Sequence, residues 1–249
     1  MIIDHCSPAD QEQLRRLWQQ AFGDTDDFLD SFYSLGFAPE RSLCARQDGQ
    51  IAAAMYWFDC RLENRKLAYI YAVATDKDFR GKGICTAMMA NAHQRLAQRG
   101  YAGAVLVPCS ESLFRFYEKM GYSAFGGMEK FRAEAGVPVA LQEISGQEYA
   151  RLRQQYLPAG GILQEGPLME VLATQAQFYQ GADFLLCCVR EECQLTGLEL
   201  LGQADAGGIL GALGCQSGSF RVPGKTPFAM YLPLEKDGPR PDYFAFALD

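Results

Sequence analysis

The stretch that most constrains the fold runs from Lys66 to Pro108. "KLAYIYAVAT" (66–75) is rich in aromatic and β-branched residues and reads as a strand; "GICTAMMANAHQRLAQRG" (83–100) reads as a helix closed by Gly100; "GAVLVP" (103–108) reads as a buried strand. Strand, helix and strand in this order make a crossover beside a parallel pair. Between the first strand and the helix stand Arg80-Gly81-Lys82-Gly83. One reading is a surface turn with solvated charges. The other is a seat for phosphate. A helix N-terminus presents unpaired N–H groups and about half a positive charge. Glycines let an anion come close to those groups, and Arg80 and Lys82 add charge.

The seat is of neither common kind. No G-x-x-x-x-G-K-[ST] run is present, and Thr86 stands where a dinucleotide fingerprint needs its third glycine.

Around this unit the chain reads as "MIIDHC" strand, a helix started by Ser7-Pro8, a second helix from Thr25 to Leu35, and a hairpin turning at Asp48-Gly49. After "GAVLVP" come a short helix in "SLFRFYEKMGY" and a last hairpin in "SAFGGMEKFRA". The order β-α-α-β-β-β-α-β-α-β-β predicts a mixed α/β fold of the α+β type. "AEAGVP" (Ala133 to Pro138) reads as a linker, which divides the chain into domains at 1–134 and 135–249. Beyond it are expected a helix from Ser145 to Leu157, another from Met169 to Phe178, and paired strands in "FLLCCVREECQLTGLELL".

Composition narrows the function classes. With 23 basic against 30 acidic residues, the chain lacks the basic excess of a general nucleic-acid binder. The nine cysteines are scattered, with no Cys-x-x-Cys pair, and there are two histidines, so neither a disulfide framework nor a metal site is expected. The N-terminus shows no basic segment leading into an apolar run, and no stretch of about twenty apolar residues occurs, so a cytoplasmic protein without a membrane partner is expected.

Arg80-Gly81-Lys82-Gly83-Ile84-Cys85, after Val73-Ala74-Thr75, resembles the pyrophosphate loop of the GNAT acyltransferases, R/Q-x-x-G-x-G/A, with Cys85 in the last small-residue position. "SLFRFYEKMGY" is similar to that family's helix carrying a tyrosine before a Lys-x-Gly-aromatic ending; Ser110 stands where asparagine is usual. The resemblance covers roughly residues 1–134. It implies a GNAT fold binding acetyl-CoA along Val73, Ala74 and Thr75, with the pyrophosphate on Arg80, Gly81, Lys82, Gly83, Ile84, Cys85 and Thr86, and Ser110 in reach. It implies an N-acetyltransferase in which an amine, small-molecule or peptide, attacks the thioester directly in a ternary complex, with no metal. Backbone N–H near Val73 would stabilise the oxyanion, and Tyr117 would protonate the leaving thiolate. For the base, Tyr69, Tyr71 and Glu111 are open. Tyr71 lies two residues before Val73 and is expected on the same strand face; a packed aromatic is its competing reading. Cys85, Cys109 and the Cys187–Cys188 pair are expected to be packing residues, and His93 to face solvent. A non-catalytic acyl-CoA-binding regulatory protein is the alternative.

The chain also compares with itself. Gly208-Ile209 of "ADAGGILGALG" set over Gly83-Ile84 aligns "QLTGLELLG" with "KLAYIYAVAT", Val222-Pro223 with Val107-Pro108, and Tyr231 with Tyr117. Residues 135–249 are therefore expected to be a degenerate second GNAT-like unit. Asp205, in the place of Arg80, would repel pyrophosphate. Its expected jobs are to wall the acceptor pocket or to form a homodimer, with "YFAFALD" buried as a strand against the first half.

Overall fold

The computed structural model describes residues 1–236, 238 and 240–247. They divide into two compact units, the first made of Met1–Cys60, Arg65–Ser123 and a returning segment that begins at Met230; the second holds Arg61–Asn64, Ala124–Ala229 and the C-terminal segment. In the first, β1 (Ile2–Asp4), α1 (Gln11–Phe22), α2 (Asp26–Ser31), β2 (Ser42–Gln47), β3 (Gln50–Leu62), β4 (Arg65–Thr75), α3 (Ile84–Gln98), β5 (Gly103–Leu106) and α4 (Glu111–Glu118) follow one another. The strands lie side by side in the order β1-β2-β3-β4-β5. The β1–β2 and β2–β3 pairs are antiparallel, and β4–β5 is parallel.

Local chemistry sets these elements. Ser7 and Asp10 form a reciprocal capping box ahead of α1. The β2–β3 hairpin turns at Asp48 and Gly49, both with positive φ (52° and 81°). Thr25 caps α2, which ends earlier than expected: Phe32–Gly36 is a single π turn that packs Phe32 beneath it. Both sheet faces are covered. On one, Ile84, Met88, Met89, Ala92 and Leu96 of α3 pack on Ala68, Ile70, Ala104 and Leu106. On the other, Leu14 and Leu17 of α1 pack with Cys44, Ile51, Ala54 and Ala74. There Trp18 centres an aromatic cluster, 4.6 Å from Phe32, 5.3 Å from Tyr56 and 5.5 Å from Tyr71 between ring centres.

The second unit contains β6 (Ser123–Glu134), β7 (Gln142–Ile144), α5 (Gly146–Tyr156), β8 (Leu163–Gln164), α6 (Pro167–Leu172), β9 (Gln177–Gln180), β10 (Phe184–Glu191), β11 (Gln194–Gly202), α7 (Ala206–Leu213) and β12 (Ser217–Pro223). Its strands run β6-β12-β11-β10-β9-β7. The last strand, β13 (Thr226–Pro233), gives Met230–Pro233 to the first unit, antiparallel to β5.

Five sequence expectations change here. "SAFGGMEKFRA" is one strand, not a hairpin: Gly126 holds a left-handed φ of 82° inside it, and a Cβ on Gly127 would collide with the Gly224 carbonyl. That strand pairs with β12, Phe131 opposite Phe220, so the units divide near Ser123 rather than at 134. The second helix of the later half stops at Leu172, and Gln177–Gln180 is already strand. Tyr231 is not on a helix like Tyr117. It lies in β13 opposite Val105, buried in the first unit. Residues 243–247 are buried, as their composition suggests, but they belong to the second unit and form a bridge of one residue, Tyr243 with Gly161, instead of a strand; Leu248 and Asp249 lie outside the described residues.

What holds that C-terminal segment is an ion pair. Arg153 and Glu199 are both fully buried and joined by two hydrogen bonds, 2.7 and 2.9 Å. Tyr149 and Tyr243 each donate to Glu199 at 2.8 and 2.9 Å, and Arg153 stacks 4.8 Å from the Phe246 ring. Gln164 completes the anchor with bonds to both main-chain groups of Phe246. Removing one partner of such a pair costs about 3–5 kcal/mol, because the other charge stays buried. Glu199→Gln is therefore expected to lower the urea midpoint of the second unit markedly. Adding Arg153→Met to it is expected to restore part of the loss, since no charge is then buried; urea titration of both variants checks this.

Candidate active site at the β4–β5 parting

The β4–β5 ladder covers Leu67–Gly103, Ala68–Ala104 and Tyr69–Val105 and ends there, although β4 continues to Thr75. Beyond Tyr69 the two parallel strands no longer share this ladder. Within the parted half Ala72 has φ 48°, a left-handed conformation unusual for alanine. The left-handed residue breaks the alternation of side chains. Ile70 and Val73 both face the α3 side, while Tyr71 joins Trp18, Phe32, Phe58 and Tyr69 on the α1 side and Ala74 packs there too. Tyr71 and Val73 thus lie on opposite faces, against the simple two-residue alternation.

The loop after Thr75 is built as a cradle. Asp76 caps a short 3-10 turn (Lys77–Phe79) through the Asp78 N–H. Arg80 donates from Nε to the Thr75 carbonyl at 3.0 Å, and Lys82 donates to the Asp78 carbonyl at 2.9 Å. Gly81 and Gly83 both have φ 74° with open space where a Cβ would stand. Backbone conformation, not packing, demands glycine there. Gly83 begins α3 and supplies no side-chain cap, and the first turn of α3 carries no acidic residue. By contrast Ser110, Ser145 and Asp205 cap α4, α5 and α7 with their side chains. The α3 N-terminus is left open toward an exposed loop carrying Arg80 and Lys82.

The other expected residues fall around this mouth. Ile84 turns its side chain into the core, and Thr86 is exposed. Burial pushes the Cys85 thiol up to about 11, and its hydrogen bond with Thr75 offsets only part of that. Ser110 is exposed at the start of α4; its hydroxyl caps Leu113 N–H at 3.4 Å and meets Ser112 Oγ at 2.9 Å. Tyr117 is 7% exposed and packs with the α3 core. Burial lifts its phenol above the ordinary range, with the Cys85 and Cys109 thiols adding to the effect. Among the described residues no protein group hydrogen-bonds its hydroxyl. Glu111 points away on the surface, 92% exposed and 3.5 Å from Arg115. Tyr69 is buried beside Phe58. Among the described residues, no group of three or more His, Cys, Asp and Glu is placed to hold a metal ion, and no helix is long and apolar enough to cross a membrane.

Residues 3–125 match the family model of the acetyltransferase (GNAT) domain. This segment is a GNAT acetyltransferase domain. A GCN5-related N-acetyltransferase from Kribbella flavida superposes with a TM-score of 0.70 at 15% identity, over 92% of this chain and 70% of its own. One from Anabaena variabilis gives 0.73 at 14%, over 94% and 73%; one from Sphaerobacter thermophilus gives 0.55 at 12%, over 97% of each. At such identity the likeness is one of fold, and it reaches beyond the GNAT segment into the second unit. No protein of curated function matches the sequence.

Sequence reasoning placed His93 in solvent. In the GNAT domain it is half-buried, with Nε2 2.8 Å from the hydroxyl of fully buried Tyr122. The signal was present: His93 follows Met89 by four residues on the inward stripe of α3. Burial pushes the His93 imidazole down from 6.5 to about 4. As pH falls, the unfolded chain therefore takes up this proton before the folded one does, and stability is lost between about pH 6.5 and about pH 4. His93→Gln cannot titrate. Its thermal midpoint is expected to fall less than that of the wild type between pH 7 and pH 4.5 in the same buffer series.

Proposed function

We propose that the chain is an N-acetyltransferase that binds acetyl-CoA at the β4–β5 parting and transfers the acetyl group to an amine in a ternary complex. The observation that carries this reading is the parted parallel pair with an uncapped, glycine-led helix N-terminus at its mouth, inside a GNAT domain. The N–H groups of the 81–86 segment, with Arg80 and Lys82, would hold the pyrophosphate. The pantetheine arm would run beside Val73–Thr75. N–H near Val73 would take the oxyanion, next to the left-handed backbone at Ala72. Cys85 stays a thiol at neutral pH, which favours direct attack over an acyl-cysteine intermediate. Tyr117 would supply the proton to the departing thiolate. Tyr71 lies on the other face of β4, the side from which we propose the amine arrives, and would relay its proton, accepting at the hydroxyl oxygen while passing its own hydroxyl proton on to water.

We further propose that the second unit is a degenerate copy without a coenzyme A site. Its parallel pair keeps the same register: Leu195–Gly218, Thr196–Ser219 and Gly197–Phe220 mirror Leu67–Gly103 through Tyr69–Val105. The helix entry differs. Asp205 itself caps α7, accepting the Gly208 N–H at 3.1 Å. The linker covers the same turn, with Gly136 N–H on Gly207 O and Val139 N–H on Gly208 O, at 2.8 and 3.2 Å. Val139 and Leu141 pack on Leu200, Ala206 and Ile209. Gly208 and Gly211 are glycines because Val139 and the Gly136 carbonyl press against them, not because an anion must. The second unit then serves a homodimer, and the protein acts in the cytoplasm.

Calorimetric titration with acetyl-CoA is expected to give one site per chain in the wild type and none in Gly83→Asp, whose carboxylate would stand where phosphate must come. Two equivalent sites, or unchanged affinity in the variant, would refute the placement. For chemistry, coenzyme A release is screened against amines, polyamines, aminoglycosides and peptide N-termini. Tyr117→Phe is expected to keep acetyl-CoA affinity while kcat drops by roughly 10²–10⁴. Slow acetyl-CoA hydrolysis unaltered by any amine would instead mark a binding protein.

A further inference from the structure

Tyr117 is held by its neighbours rather than by its own hydroxyl. Its ring meets Phe116 and Tyr122 edge-on, with centres 5.2 and 5.7 Å away. Its carbonyl accepts from Met120 N–H at 2.9 Å and Tyr122 N–H at 3.2 Å, which closes α4 directly onto Tyr122. Tyr122 in turn is buried, and the hydrogen bond that satisfies its hydroxyl is the one to His93. The His93 and Tyr122 rings pack 5.5 Å apart at 57°. His93 sits on α3, ten residues beyond Gly83, about 15 Å along the same rigid helix whose N-terminus faces the loop.

We propose that His93 and Tyr122 are a positioning pair that fixes the last turn of α4 on α3 and thereby sets where the Tyr117 hydroxyl stands relative to the phosphate cradle. The inference rests on the acetyl-transfer reading above. Neither residue reaches the mouth of the parting; both act through Tyr117. A neutral imidazole suits this task, because it can take the Tyr122 proton into a hydrogen bond throughout the physiological range. Without it, the buried hydroxyl is left unpaired, a cost that favours displacement of the whole ring toward another partner, and with it the brace on Tyr117. A shift of an ångström in a proton donor can cost up to roughly 10²-fold in rate.

The test is a double-mutant cycle on coenzyme A release with acetyl-CoA and the most active amine of the panel. His93→Leu is expected to lower kcat by roughly 10- to 10²-fold with the acetyl-CoA KM within about twofold of wild type. His93→Gln, whose amide can still meet the Tyr122 hydroxyl, is expected to recover most of the rate. In a Tyr117→Phe background His93→Leu is expected to do nothing further to kcat. Tyr122→Phe gives a second entry to the cycle should His93→Leu fold poorly. Equal losses from His93→Leu with and without Tyr117, or an unimpaired His93→Leu beside a slow Tyr117→Phe, would overturn the pair while leaving the acid in place. A Tyr117→Phe enzyme at wild-type rate would instead sink the acid assignment, and the pair with it.

Discussion

The first unit is organised by where the β4–β5 ladder stops. Two parallel strands joined through a helix can pair along their full length, and then nothing but side chains is left for a ligand. Here pairing ends at Tyr69 and Val105, while β4 runs on to Thr75. Ligands of open α/β sheets gather at the C-terminal ends of parallel strands for this reason: backbone groups there lack a neighbour, and the crossover helix begins beside them. The left-handed backbone at Ala72 strengthens the effect. A left-handed alanine costs on the order of 1–2 kcal/mol, a strain the surrounding packing must hold, with Tyr71 locked among Trp18, Phe32 and Phe58 on one side and Val73 against the α3 core on the other.

The second unit makes the same point by contrast. Its parallel pair stops at the equivalent residues, Gly197 and Phe220, and a helix follows β11 as α3 follows β4. Yet the Gly208 N–H in the first turn of α7 is already taken by the Asp205 carboxylate, and the linker lies across the same turn, donating from Gly136 and Val139 to the Gly207 and Gly208 carbonyls. A parted pair therefore does not make a phosphate site by itself. The difference lies in a few residues: Gly81 and Gly83 hold a left-handed loop in open space, whereas Gly207, Gly208 and Gly211 are filled against by the chain. Identical residue types serve an open cradle in one unit and a packed crossing in the other.

That contrast also explains which features were legible in the sequence. The crossover, the glycine loop, α4 with its Gly121 stop and the Asp48-Gly49 hairpin carry strong local signals, because each depends on φ values or periodicities that few residues supply. The left-handed conformation of Ala72 has no such signal: "AYIYAVAT" reads as unbroken strand, so strict alternation puts Tyr71 on the face of Val73. The Gly126-Gly127 pair reads as a turn by the same local logic, while Gly126 is a left-handed residue inside a strand and Gly127 makes room for a distant carbonyl, Gly224. Tyr231 aligned with Tyr117 by spacing, but β13 returns to pair with β5, a non-local event that no window of sequence reports. The Arg153–Glu199 pair likewise joins α5 to β11 across the fold, and neither residue stands out until both are seen buried.

The raised pKa of Tyr117 bears on how it could assist the reaction. A free thiol ionises near 8.5 and a phenol near 10, so in water a thiolate is too weak a base to take a phenolic proton, and burial of Tyr117 widens that gap. The comparison changes when the thiolate forms in the same setting. Desolvation destabilises a nascent thiolate as it destabilises a phenolate, so the two groups are brought closer in basicity at the moment the carbon–sulfur bond breaks. In the proposed reaction a short hydrogen bond from the neutral phenol would stabilise the departing sulfur without full transfer, and the proton would follow as the thiol leaves. Such a donor must remain neutral throughout the working pH range, which burial ensures, and it must point at the sulfur rather than at a protein acceptor. The absence of any described hydrogen-bond partner for its hydroxyl meets that second need, and it leaves the orientation of the ring to Phe116, Tyr122 and, behind Tyr122, His93.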